Sequence, residues 1–331
     1  MRRAHPVVAA AMVWIVSFGS SAVAMPAAAA PHRVAVTGFF EAWDNTRLIT
    51  RSAAALTTVG VDGVSLTRGG AAVAAPDAGA LKAESVAHDG GLRAELLVSN
   101  WDHGFSTALA RGLLSSPANI SRVAAKLARY VEDQGWDGVS VDLESLHARD
   151  AAGLVSFLSA LRSDLDAGRS LSVCISNSIT SAEYAARGYD LAGIAANADR
   201  IILMAYDQHG PWEHKPGPVG ALAWQRKGLG VMLKQVPAPQ VDLGQAGYGY
   251  AWRRGGTHSV SDARARHLVK KFNATARFDA AAGEWTAHLP DGSTIWWADA
   301  RSFKIRLRLA RSDSLHGLAV WDLADSDPIT Q

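Results

Sequence analysis

Eight short apolar runs, interleaved with segments of helical periodicity, constrain this chain more than any other feature. Residues 34–40, 63–66, 94–99, 138–144, 171–176, 200–205, 241–248 and 317–323 read as strands, most of them buried on both faces. Between them, Ile120, Val123, Ala124, Leu127, Tyr130 and Val131 recur at helical spacing after Ser116-Pro117, a helix-start signal. Further helices are expected near 149–166, 188–197, 219–235 and 301–312. Repeated strand–helix alternation predicts a parallel sheet with right-handed crossovers. Eight strands in 331 residues predict closure into an α/β (β/α)8 TIM barrel. A doubly wound open sheet is the alternative, but no glycine-rich phosphate loop opens the first helix.

One interval departs from the alternation. Residues 253–298, between the seventh and eighth strands, predict a helix near 260–272 and then hairpins, with Pro290-Asp291-Gly292 as the turn between 284–289 and 294–297. This reads as a small α+β insertion. Trp285, Trp296 and Trp297 suggest that it walls a cleft, and a surface decoration is the alternative. The rest of the mature chain, 31–331, is read as one barrel.

Residues 1–30 read as a signal peptide and short linker. Arg2 and Arg3 form a positive start, an apolar run follows through Val23, and Ala22-Val23-Ala24 is a small-residue cleavage pattern. Ser17, Gly19, Ser20 and Ser21 interrupt the run, which argues against stable membrane insertion. A secreted or periplasmic protein is expected. The single cysteine, Cys174, allows no internal disulfide and sits in an apolar stretch, as inert core does. A net charge of +2 without a dense basic run argues against nucleic acid as a partner.

Within 138–144, Val139, Val141 and Leu143 alternate with Ser140, Asp142 and Glu144, giving one apolar and one polar face. Asp142 and Glu144 share that polar face where the strand ends, and catalytic groups gather at the C-terminal ends of barrel strands. An exposed edge strand with an acidic face fits the same residues, so spacing alone leaves both readings open.

The run Asp137-Gly138-Val139-Ser140-Val141-Asp142-Leu143-Glu144 resembles the Asp-Gly-x-Asp-x-Asp-x-Glu signature of glycoside hydrolase family 18, the chitinase-like retaining hydrolases. Leu203-Met204-Ala205-Tyr206-Asp207 is similar to that family's Met-x-Tyr-Asp at the end of its sixth strand. Gly317-Leu318-Ala319-Val320-Trp321-Asp322 is similar to its final strand, which closes with a tryptophan under the bound sugar. The three matches follow the family's order and span essentially the whole mature chain.

The resemblance implies β-1,4 hydrolysis of an N-acetylglucosamine-containing polymer, without cofactor or metal. Glu144 would be the general acid, which requires a raised pKa, and Asp142 supplies a like charge beside it. In this family the substrate's own 2-acetamido oxygen is the nucleophile, an exception to the paired-carboxylate scheme. The aspartate two residues before the acid orients that amide. Tyr206 would hydrogen-bond the acetamido carbonyl, Asp207 would hold the sugar and Trp321 would form its floor. Singly, each has an ordinary reading: barrel packing for Tyr206, a helix cap for Asp207 and core for Trp321. Asn100-Trp101-Asp102 and Trp43-Asp44 also end expected strands. Asn100 and Trp101 are therefore further substrate-binding candidates, and sugar stacking would help explain eleven tryptophans.

Ser140 departs from the family pattern, standing where chitinases place the first aspartate of Asp-x-Asp-x-Glu. Losing that carboxyl predicts that Asp142 ionises more easily, with Ser140 donating a hydrogen bond to it. Residues 206–210 with Pro216-Gly217-Pro218, and residues 296–302, look like the spore-germination and cortex-lytic branch. In that branch a small polar residue often takes this position and peptidoglycan is the polymer. Peptidoglycan therefore leads chitin as the expected substrate, N-linked glycans stay open, and a monomer is expected. A non-catalytic lectin on the same barrel is the alternative, disfavoured because such relatives usually lack the glutamate. His209 and His214 match no common zinc spacing, and His103 and His147 are singletons near strand ends.

Overall fold

The computed structural model describes residues 34–331; the signal peptide expected in residues 1–30 lies outside them. Eight parallel strands, β1 (Ala35–Glu41), β2 (Thr58–Thr67), β3 (Arg93–Ser99), β4 (Gly138–Asp142), β5 (Ser170–Ser176), β6 (Arg200–Met204), β7 (Val241–Ala246) and β8 (Gly317–Trp321), pair in chain order. β8 then pairs with β1 and closes the barrel. The fold is the expected TIM barrel.

Local chemistry explains the individual elements. Helix Pro117–Gln134 starts where the Ser116 hydroxyl accepts the Asn119 N–H, with proline in its first turn. It stops at Gly135, whose φ of 89° is left-handed and suits glycine. Its buried stripe is the one the periodicity predicts: Ile120, Val123, Ala124, Leu127, Tyr130 and Val131. β2 is longer than its expected 63–66. Its first half, Thr58-Val59-Gly60-Val61-Asp62, mixes threonine, glycine and acid, and only the neighbouring strands β1 and β3 make it a strand.

The barrel's stagger can be read from its hydrogen-bonded rows. The row starting at Glu41 runs through Asp62, Leu97 and Ser140 to Ser172. The row starting two residues higher on β5, at Cys174, runs through Ile202, Asp242 and Gly317 and returns to Ala35. Ala35 lies six residues below Glu41 and the second row starts two above the first, so one circuit shifts the register by eight. That is the shear of a (β/α)8 barrel, one residue per strand. Residues at one height on alternate strands therefore sit two positions above the hydrogen-bonded row.

The N-terminal end of the barrel is closed by charge. The Glu95 carboxylate accepts Arg200 Nη2 at 2.6 Å, Ser170 Oγ at 2.6 Å and Ser172 Oγ at 2.9 Å. Asp242 lies 3.8 Å from Arg200 and 2.6 Å from His316 Nδ1. Glu95, Arg200 and Asp242 are all buried, so each charge depends on the others for the solvation that water no longer provides.

A second, antiparallel sheet lies between β7 and β8, in the order Gly256–Ser261, Tyr248–Arg253, Thr294–Trp297, Glu284–His288, Ala276–Asp279. Helix Asp262–Lys271 packs on it through Ala265 and Leu268. The sheet begins at Tyr248, earlier than residue 253, because β7 ends at Ala246 and the chain turns at Gly247. A side chain at Gly247 would stand 2.6 Å from Ser326 Cβ and 2.8 Å from Asp322 O. Glu284 ties this sheet to the barrel, accepting the Val219 and Gly220 N–H groups at 2.8 Å each beside Arg306. Trp285 and Trp297 stack on each other at 6.0 Å and serve this sheet's own core, contrary to the expectation that they wall a cleft.

Replacing Glu95 with alanine strips Arg200 of its main partner. We expect a loss of about 3–5 kcal/mol in unfolding free energy, measured by urea denaturation, with the folded fraction retaining its secondary structure by circular dichroism.

Candidate active site

The C-terminal ends of the strands gather the acids that the sequence singled out, together with others that it did not. Asp142 is the last residue of β4 and is buried, and one of its carboxyl oxygens has no hydrogen-bond partner. Applying the stagger from Asp62 on β2, whose row meets β4 at Ser140, the residue level with Asp62 is Asp142. The same step reaches Met204 on β6 and Trp321 on β8. Four alternate strands thus contribute one layer: Asp62, Asp142, Met204 and Trp321. Beneath it, Phe39, Leu97, Cys174, Ile202 and Ala319 form an apolar plug against which Tyr206 and Trp321 pack. Trp321 meets Phe39 at 5.4 Å between ring centroids.

Glu144 stands two residues past the strand end, partly exposed above Asp142. Asn100 holds it there: its side-chain amide donates to Glu144 O at 2.9 Å and accepts the Glu144 N–H at 2.9 Å. A third bond runs from the same amide to Ser106 O at 3.0 Å. Asn100 is fully buried and spends its polar atoms on backbone, so it is a positioning residue; the expectation that it contacts substrate is corrected. Ser145 follows in a left-handed conformation, φ 57°.

Ser140 is corrected on the same ground. It is fully buried one turn of the pleat below Asp142, and its hydroxyl lies 3.8 Å from Cys174 Sγ. It neither reaches the cleft nor donates to Asp142.

Asp207 follows β6 in a left-handed conformation, φ 60°, one that aspartate adopts more readily than most residues. One of its carboxyl oxygens accepts the hydroxyls of Tyr248 at 2.5 Å and Tyr250 at 2.9 Å. Both tyrosines come from the first strand of the second sheet, so that sheet forms part of the cleft through tyrosine, joined by Trp296 of the three tryptophans expected there. Trp296 packs in the same aromatic group as Tyr248, Tyr250 and Trp252. On the rim, Trp101 is exposed and edge-on to Phe105. Trp43 and Trp212 are also exposed, Trp212 meeting Tyr250 edge-on at 6.1 Å.

Burial dominates the electrostatics. It pushes Asp142 well above the ordinary carboxylate range, reinforced by the like charges of Glu144 and Asp62. Serine at position 140 adds no carboxyl beside Asp142, yet burial, Glu144 and Asp62 still hold it above the ordinary range. Glu144 is pushed up to about 7, chiefly by burial and then by Asp207, with Arg187 opposing. Asp207 is raised by burial against the two tyrosine hydroxyls that favour its charged form. Burial also takes Asp62 to about 6 and, helped by Asp322, Asp44, Asp62 and Asp325, takes Glu41 to about 7. A carboxyl protonated near neutrality, partly open to a cleft and mounted above a second buried acid, is equipped to protonate a leaving oxygen.

Sequence reasoning brought Asp142, Glu144, Tyr206, Asp207, Trp101 and Trp321 to this end of the barrel. It missed Asp62, Tyr248, Tyr250 and Trp212. Only the alternation through Tyr248-Gly249-Tyr250 could have flagged the two tyrosines, and Asp62 lay in a strand half that was not read as one. His209 pairs with Glu213 at 2.5 Å. Among the described residues, no group of three or more His, Cys, Asp or Glu could hold a metal ion, and no helix is long and apolar enough to cross a membrane.

Comparison with known proteins agrees with this geometry. The structure resembles a chitinase from Chromobacterium violaceum, with a TM-score of 0.81 and 28% identity over 89% of this chain and 95% of that one. The Bacillus cereus spore cortex-lytic enzyme SleL shares the fold with a TM-score of 0.80 and 20% identity, over 89% of this chain and 72% of that one. In sequence, the cortical fragment-lytic enzyme of Bacillus subtilis is 27% identical over 252 residues, 70% of this chain and 57% of that protein. The chain spans between 54% and 70% of the lengths of the three Bacillus subtilis proteins it matches. Residues 34–327 match the profile of Glycosyl hydrolases family 18. The Asp142–Glu144 strand end, the closed barrel around it and this match over nearly all the described residues make the chain a glycoside hydrolase that belongs to family 18.

Proposed function

We propose that the protein is an exported, retaining glycosidase that hydrolyses β-1,4 bonds of N-acetylglucosamine-containing polymers by substrate-assisted catalysis, with peptidoglycan ahead of chitin. The observation that carries this reading is the vertical pair on β4: Glu144 partly open with its carboxyl raised to about 7, and Asp142 buried beneath it with one oxygen unpartnered. A paired-carboxylate retaining mechanism places its two acids on opposite sides of the scissile bond. Acids two residues apart on one strand end approach the sugar from one side. Glu144 supplies the proton to the leaving oxygen. Asp142 is left to orient a neighbouring group of the substrate, which suits a 2-acetamido N–H donating to its free oxygen.

In this reading the acetamido oxygen attacks the anomeric carbon as the Glu144 proton passes to the departing oxygen. Water then opens the cyclic intermediate with Glu144 as base, and two inversions give net retention. Tyr206 packs on the same apolar plug as Trp321, suited to hydrogen-bond the acetamido carbonyl. Asp207, held by Tyr248 and Tyr250, is suited to bind a sugar hydroxyl, and Trp101 to stack at the rim. The preference for peptidoglycan is supported by Ser140, by the stretches at 206–218 and 296–302, and by the cortical fragment-lytic relative. Export is supported by the signal pattern in residues 1–30.

The deciding experiment is mass spectrometry of products after separate incubation with purified peptidoglycan and chitin oligosaccharides. Muropeptides ending in reducing N-acetylglucosamine are expected; chitobiose alone would move the reading to chitin. Glu144→Gln should lower kcat by about 10²–10⁴-fold while oligosaccharide binding, followed by calorimetry, is retained. Because Glu144 must carry its proton, kcat/KM should fall as pH rises through about 7, a limb visible in its pH profile. Asn100→Ala, which frees the Glu144 backbone, should cost about 10²-fold in kcat with little change in KM, measured by steady-state kinetics.

A further inference from the structure

Asp142 faces titratable groups both within the family's matched motifs and outside them. Glu144 lies beyond it on its own chain segment, Cys174 faces it from β5, Tyr206 from the end of β6 and Tyr189 from the segment after helix Ser181–Ala186. Across the barrel stands Asp62 on β2, in the same layer. Position 140, which could have carried a carboxyl on β4 itself, holds a serine turned toward Cys174.

We propose that Asp62 is the positioning carboxyl for Asp142, supplying from β2 the second acid that Ser140 cannot supply from β4. The inference rests on the catalytic reading above and adds to it a residue from another strand. Register carries it: Glu41, Asp62, Leu97 and Ser140 form one hydrogen-bonded row, and paired residues in neighbouring parallel strands point to the same side. Leu97 belongs to the interior plug and Ser140 reaches Cys174 inside it, so Asp62 is directed inward too. The barrel stagger then lifts its layer partner on β4 from Ser140 to Asp142. Asp142 has a buried oxygen without a partner, which leaves its charge governed by its acidic neighbours. Their effect is visible in Asp142, where Asp62 is one of the two like charges that discourage ionisation. Two acids sharing one enclosed space retain a proton between them over a wide pH range. Asp142 thus starts protonated, and when substrate gives it an amide N–H to accept, its proton passes to the Asp62 carboxylate. On the outer side of Asp62, Glu41 is the next acid, followed by Asp44, Asp322 and Asp325.

The test is the pH profile of kcat/KM for Asp62→Asn, Asp62→Glu and the double variant Asp62→Asn with Ser140→Asp. Removing the like charge should let Asp142 ionise more readily, so the acidic limb of Asp62→Asn should move down by about one pH unit. Asp62→Glu should keep the wild-type limb, and the double variant should return it by placing a carboxyl on β4. An unmoved acidic limb in folded Asp62→Asn, or a loss of rate equal at every pH, overturns the proposal. Should Asp62→Asn fail to fold, Ser140→Asp alone adds a third carboxyl and should raise the limb; no movement there overturns it equally. Carboxyl carbon NMR of Asp142 without substrate, assigned with Asp142→Asn, reads the same coupling independently of turnover. A downward shift in Asp62→Asn there, in a protein that cleaves neither polymer, would sustain the coupling while removing the substrate reading.

Discussion

The hydrogen-bonded ladder between β8 and β1 is the constraint on which the site depends. Without it, eight parallel strands form an open sheet, and the ends of β2, β4, β6 and β8 spread along an edge. Closure forces a stagger of one residue per strand, and that stagger decides which side chains share a height. Asp62 and Asp142, 80 positions apart in the chain, meet in one layer for that reason. The charged cluster of Glu95, Arg200 and Asp242 fills the opposite end of the barrel interior.

Burial, more than any single charge, gives the site its chemistry. Asp142, Glu144, Asp62, Asp207 and Glu41 are all raised, each with loss of solvation as the leading cause. The barrel wall removes water from the carboxyls while leaving Glu144 an opening to the cleft. Acids collected this way cannot all ionise together, so protons remain in the site near neutral pH. Asn100 fixes where that protonated carboxyl stands, through backbone contacts rather than contact with the carboxyl itself.

The second sheet contributes through hydroxyls. Tyr248 and Tyr250 alternate with glycine and alanine on a strand whose inner face meets the β6 end, and their hydroxyls converge on Asp207. Glu284 makes the attachment rigid by accepting two consecutive backbone N–H groups after β6 next to the buried Arg306. Two tryptophans of this region, Trp285 and Trp297, stack to hold the sheet together.

Much of this was legible in the chain itself. Strand–helix alternation determined the barrel, because apolar runs buried on both faces need helices on their outside. The period of two through 138–144 determined that Asp142 and Glu144 share a face, since that follows from local backbone geometry. The roles of Asn100 and Ser140 were not legible: being near a strand end does not reveal whether a polar side chain meets solvent or backbone. Nor was the burial of Asp142, whose lost solvation is the leading cause of its raised proton affinity. Asp62 adds to that as a like charge, and a pairing across the barrel follows from closure and stagger, which are properties of eight strands together. The sequence by itself determined the fold class and the catalytic strand; tertiary structure alone decided which distant acids face each other, because only closure brings alternate strands to one height.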